Sequence, residues 1–108
     1  MWRAIAVASF VCFTAATAAP VQDYGDAPRG LAFAQQVCSG CHALQKGEIH
    51  SPHPDAPTFP VIALVPGLTA LALTVALQSS HARMPDLVLD MQERRDVIAY
   101  ILSLRSTN

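Results

Sequence analysis

The stretch Cys38-Ser39-Gly40-Cys41-His42 constrains this chain more than any other part of it. Residues i and i+3 are neighbours on a helix surface, so both thiols lie on the same side of one turn. A histidine directly after the second thiol falls beneath any flat group that the two sulfurs grip along one edge. Cys-x-x-Cys-His is the attachment pattern of a c-type haem. The two thiols reach the two vinyl groups, and an imidazole nitrogen of His42 reaches iron.

Other uses of a Cys-x-x-Cys pair fit less well. A thioredoxin-like redox disulfide sits near a βαβ pattern, and no segment here reads convincingly as a strand. A closed zinc site takes four ligands. There is no second cysteine pair, and His50 and His53 follow Cys41 too closely for the usual zinc-finger spacing.

The N-terminus supplies context. Met1-Trp2-Arg3 is a short positive region, Ala4 to Phe13 is apolar apart from Ser9, and Ala16-Thr17-Ala18 matches the A-x-A cleavage pattern. Residues 1–18 therefore read as a cleaved secretory signal peptide, with a single domain over residues 19–108 exported to the periplasm. The apolar run is well short of the ~20 residues needed to span a bilayer, so no transmembrane segment is expected in the mature chain. Cys12 would leave with the leader, and Val11 before it does not suit a lipoprotein cleavage site. Cys38 and Cys41 are then both consumed by haem, and no disulfide is expected.

A mature chain of about 90 residues is near the size at which a protein core alone is marginal. A buried, covalently held porphyrin would supply the missing apolar surface. Loss of Arg3 with the leader takes the formal charge from −1 to −2, and Lys46 is the sole lysine, so nothing suits nucleic acid.

The rest reads as helices joined by proline-rich loops, an all-α class. Asp26 is an N-cap with Pro28 tolerated in the first turn. Ala27, Gly30, Leu31, Ala34, Val37, Cys38 and Cys41 recur at helical spacing, which runs this helix into the cysteine motif. Five prolines between His50 and Pro66 predict a long loop without regular structure. An apolar helix over about Thr69–Gln78 follows. Asp90 and Glu93 form a capping-box-like start for a last helix running to about Arg105.

A second axial ligand comes next. Met84 lies 42 positions after His42 and immediately precedes Pro85, which fixes the backbone beside it. A thioether is a soft ligand that raises the reduction potential. Met91, at the first position of the last helix, and His81, which would give a bis-histidine site, are the rivals. Met84 is the expected ligand.

These motifs together resemble those of a small bacterial class I cytochrome c, over essentially the whole mature region. Gly25-Asp26 with Gly30 resembles the family's first helix, Met84-Pro85-Asp86-Leu87 its distal-ligand loop, and Ile98-Ala99-Tyr100-Ile101 its last helix. The resemblance implies three main helices and loops wrapped around one covalently attached haem c, with the first and last helices crossing and Gly30 admitting Tyr100. It also implies a proline whose carbonyl accepts the other ring N–H of the proximal histidine. Ala56-Pro57-Thr58-Phe59 resembles that segment, which makes Pro57 the candidate, with Pro54 and Pro60 as neighbours. His50 and His53 are read as exposed loop residues, and Arg29, Arg83, Arg94 and Arg95 as solvated charges.

The sequence also departs from the family. Ala34 stands four positions before Cys38, where mitochondrial relatives carry an aromatic, with Phe33 beside it; their lysine-rich docking ring is absent. A small apolar patch making brief contacts is expected instead. The expected function is that of a periplasmic electron carrier, not an enzyme. Its haem iron would cycle between ferric and ferrous states between a periplasmic dehydrogenase or membrane electron-transport complex and a terminal oxidase or reductase. The carrier would be a monomer or form transient complexes. The alternatives are a dedicated haem subunit of one oxidoreductase, for which exposure of the apolar Val61–Leu77 stretch is the sign, and a haem ligand sensor or peroxidase with an open distal site.

Overall fold

A computed structural model describes residues 25–79 and 83–105, together with Met1, Val11, Cys12 and Ala15. Most of the expected leader, and His81, lie outside the described residues. Those residues contain four helices and no strand: α1 (Ala27–Val37), α2 (Phe59–Ala63), α3 (Ala70–Gln78) and α4 (Met91–Ser103). Among them no helix is long and apolar enough to cross a membrane.

Each helix start is written in a side chain. The Asp26 carboxylate accepts from Arg29 N at 2.8 Å, and Pro28 occupies the first turn of α1, where a missing N–H costs nothing. Thr69 Oγ1 accepts from Ala72 N at 3.0 Å to open α3. Asp90 and Glu93 form the full capping box of α4: Glu93 N donates to Asp90 at 2.8 Å, and Asp90 N donates to Glu93 at 2.9 Å.

The proline-rich segment is less irregular than its composition suggests. Thr58 Oγ1 accepts from Val61 N at 3.2 Å, and Pro60 sits in the first turn of α2, so a short helix forms inside the expected loop. Proline disfavours helix interiors, not first turns.

Helix α4 packs against each of the other three, α1 above all. Its inward residues Val97, Ile98, Tyr100 and Ile101 form the core with Ala34, Leu44, Phe59, Ala63 and Leu73. The α1–α4 crossing is closer than side chains allow. A Cβ on Gly30 would stand 1.9 Å from the Asp96 carbonyl oxygen and 2.9 Å from Tyr100 Cβ, and one on Gly25 would stand 2.3 Å from the Arg95 carbonyl oxygen.

Asp96 locks the same crossing. This buried carboxylate accepts from Asp26 N at 2.8 Å, Arg29 Nε at 3.0 Å and Gln92 Nε2 at 2.8 Å. Arg29 is therefore not simply a solvated charge: its side chain is largely exposed, but its guanidinium spans from α1 to α4. The Arg29 hydrogen bond holds the Asp96 carboxyl below its ordinary pKa, against the opposing effect of burial.

A carboxyl whose folded pKa is depressed contributes stability above its unfolded value, about 3.9, and loses it as pH falls through the folded value. Below about pH 4 the protein should lose stability more steeply than Asp96→Asn, as read by denaturant midpoints across pH. Gly30→Ala should destabilise by about 3 kcal/mol or more through overpacking. Gly40→Ala, whose Cβ meets nothing within 4 Å, should stay within about 0.5 kcal/mol in the same measurement.

Candidate functional site

Helix α1 ends where the cysteine motif begins. Cys38 N and Ser39 N both donate to Ala34 O, at 2.7 and 3.0 Å, closing the helix. The chain then makes one further turn: Cys38 O accepts from Cys41 N at 3.2 Å and from His42 N at 2.9 Å. Both cysteines and His42 thus belong to a single hydrogen-bonded turn rather than to the helix itself.

His42 is oriented by two contacts. Its Nδ1 lies 2.6 Å from Pro57 O. A carbonyl can only accept, so Nδ1 carries the hydrogen and Nε2 is the ring nitrogen left to face another partner. Phe59 packs against the imidazole with ring centroids 5.4 Å apart and also pairs with Tyr100, centroids 6.3 Å apart. Tyr100 Oη in turn donates to Leu44 O at 2.6 Å.

The loop after the motif is fixed by side chains that its composition did not announce. Glu48 accepts from Leu44 N at 3.0 Å and Gln45 N at 2.7 Å, while Ser51 Oγ accepts from Ala43 N at 3.0 Å. Gly47 turns the chain at φ 88°. Phe59 N donates to Ala43 O at 2.9 Å, so the loop returns to its starting point and delivers Pro57 beside His42.

Cys38, Cys41, His42, Pro57 and Met84 all line one cavity of about 410 Å³. Its other walls are mostly apolar, with Ile62 and Leu68 from the α2–α3 region, Leu73 and Leu77 from α3, and Val97 and Ile101 from α4. Met84 is half-buried there, whereas Met91 is 59% exposed and lies outside the lining. His50 is exposed as expected, but His53 is half-buried, lines the cavity and accepts from Asp55 N at 3.2 Å through Nδ1. Arg83 also departs from expectation: it pairs with Asp55 at the same cavity.

Partial burial pushes the Cys38 thiol up to about 11. At neutral pH it is protonated, which does not suit a nucleophilic redox cysteine. Among the described residues no three His, Cys, Asp and Glu side chains gather as a metal-ion site. What the cavity does offer is a soft donor set: two thiols on one turn, an oriented imidazole nitrogen and a thioether, in mostly apolar surroundings.

The fold and site define a helical protein with a sulfur- and imidazole-lined apolar cavity. The chain matches no family model, no curated protein and no solved structure.

Tyr100→Phe should leave the buried Leu44 carbonyl unpaired and lower unfolding free energy by about 1–3 kcal/mol, measured by denaturant titration.

Proposed function

We propose that this protein is a periplasmic electron carrier of the cytochrome c kind, with its helices and loops wrapped around one covalently attached haem c. The observation that carries the reading is the convergence of Cys38, Cys41, His42 and Met84 on one largely apolar cavity, with His42 Nδ1 committed to Pro57. These residues fit the group. Two thiols on one turn match thioether attachment, and His42 Nε2 and the Met84 sulfur would supply one nitrogen and one sulfur donor to the iron. The Ile62, Leu68, Leu73, Leu77, Val97 and Ile101 side chains would cover a hydrophobic plate.

When bound, the group supplies a one-electron couple between ferric and ferrous iron. The chain's own residues do the rest. The Pro57 carbonyl fixes the tautomer and orientation of His42 and strengthens its Nε2 as a donor. Phe59, in ring contact with both His42 and Tyr100, restricts turning of the imidazole plane. The apolar walls exclude water, which limits reorganisation when charge changes. His42 and Met84 would both serve the iron as donors, so the group would pass electrons rather than bind a substrate, as in a carrier and not a peroxidase or sensor.

One observation favours the second reading, a haem subunit bound stably to an oxidoreductase. Val61, Leu64, Val65, Leu71 and Val75 are 48–72% exposed, and clusters of exposed apolar side chains mark interaction sites. No charged residue occurs between Asp55 and Arg83 to break that surface. A subunit should co-purify with a partner and elute as a larger species; a free carrier should elute at its own mass.

Mass spectrometry of the processed protein should show a tetrapyrrole added through two thioethers, and two free thiols would refute the reading. Met84→Ala should keep the covalent group, lower the reduction potential, and let the reduced protein bind carbon monoxide. An unchanged spectrum and potential in that variant would remove Met84 as the ligand.

A further inference from the structure

Among the described residues Arg83 is the one non-glycine residue with positive φ, at 67°. L-residues avoid that region because Cβ crowds the following carbonyl, and such a conformation persists only where the surroundings hold it. The Arg83 side chain has such a partner: its Nη1 pairs with Asp55 Oδ2. Both residues line the cavity, and Met84 is the next residue after Arg83.

Asp55 is itself anchored toward the cysteine turn. Its N–H donates to His53 Nδ1 at 3.2 Å, and His53 N donates to Cys41 O at 3.1 Å. A continuous path of polar contacts therefore links the Cys41 backbone to the residue that precedes Met84. No other ion pair at the cavity joins the two loops among the described residues.

We propose that Arg83 is a positioning residue whose ion pair with Asp55 clasps the Met84 segment to the His53–Pro57 loop. The clasp works against the backbone strain at Arg83, so opening the pair releases the segment and withdraws the Met84 sulfur from the cavity. The side chains are 72% and 51% exposed. An ion pair this open to water is weak and is screened by salt. Retention of Met84 is therefore poised: an ionic environment, or a charged group of a docking partner competing for Asp55 or Arg83, shifts it. This inference rests on the reading that Met84 is an iron ligand, and the test separates the two.

The test uses the loaded, reduced protein with carbon monoxide as the probe, together with hydrogen exchange at the Met84 and Leu87 amides. Raising salt from about 0.01 M to about 1 M, which shortens the screening length from ~30 Å to ~3 Å, should raise wild-type carbon monoxide affinity about two- to five-fold. Asp55→Asn should give that increase at low salt and abolish the salt response, and both amides should exchange faster. Arg83→Ala should behave likewise. Arg83→Gly should open less than Arg83→Ala, because glycine adopts φ 67° without strain. The charge swap Arg83→Glu with Asp55→Arg should restore slow exchange.

Unchanged amide exchange and carbon monoxide affinity in Asp55→Asn, with Met84→Ala opening the site, would overturn the clasp and leave the ligand assignment standing. Faster exchange in Asp55→Asn, with no effect of Met84→Ala on carbon monoxide affinity, would support the clasp as a contact and overturn the ligand assignment instead.

Discussion

Everything in this fold is referred to the backbone approach of α1 and α4 at Gly30. There the Asp96 carbonyl oxygen occupies space that any side chain would need. The approach sets the height of Tyr100 over the chain, and Tyr100 in turn fixes Leu44 and Phe59. Beyond it α1 closes on the Ala34 carbonyl, and the two cysteines emerge there. The Asp96 carboxylate, buried on α4 and shared by Asp26, Arg29 and Gln92, turns that steric fit into a specific register. A buried carboxylate stabilises only when its lone pairs are used, and here three donors use them.

The cavity follows from this arrangement. It lies between the crossing helices and the α2–α3 region. Val97 and Ile101 look into the space from α4, and Leu73 and Leu77 from α3. Side chains often do the work of backbone pairing in its surroundings. Glu48, Ser51 and Thr58 each satisfy backbone N–H groups that no strand is present to satisfy among the described residues. Arg105 does the reverse, donating from the end of α4 to the Ala63 and Leu68 carbonyls at 2.7 and 2.5 Å, and so ties α2 and the start of α3 to the core.

The helix starts were legible in the sequence because capping is local: Asp26, Thr69 and Asp90 each act within three residues of themselves. The cysteine turn was legible for the same reason. The Pro57 contact to His42 came through family resemblance, since nothing local says which of several prolines a loop will deliver. Helix α2 was missed because proline content was weighed without position; Thr58 before Phe59-Pro60 was the signal for a start. Asp96 was missed because it is written among ordinary helix residues, and its four-residue spacing from Tyr100 on the buried face was its only mark. Arg29, Arg83 and Asp55 act across 67 and 28 positions, distances over which pattern reading carries no information.

The loop between Ala43 and Phe59 has one more consequence. Its two ends are joined by the Phe59 N–Ala43 O bond, and Pro57, which orients His42, sits two residues before that closure. Length added at the exposed stretch near Gly47 to His50 would enlarge a ring that is already closed. The entropic cost of such growth rises slowly, by about 0.6 kcal/mol per doubling. Length placed after Glu48, whose carboxylate holds the Leu44 and Gln45 amides, would add surface while the closure at Phe59 keeps Pro57 beside the imidazole.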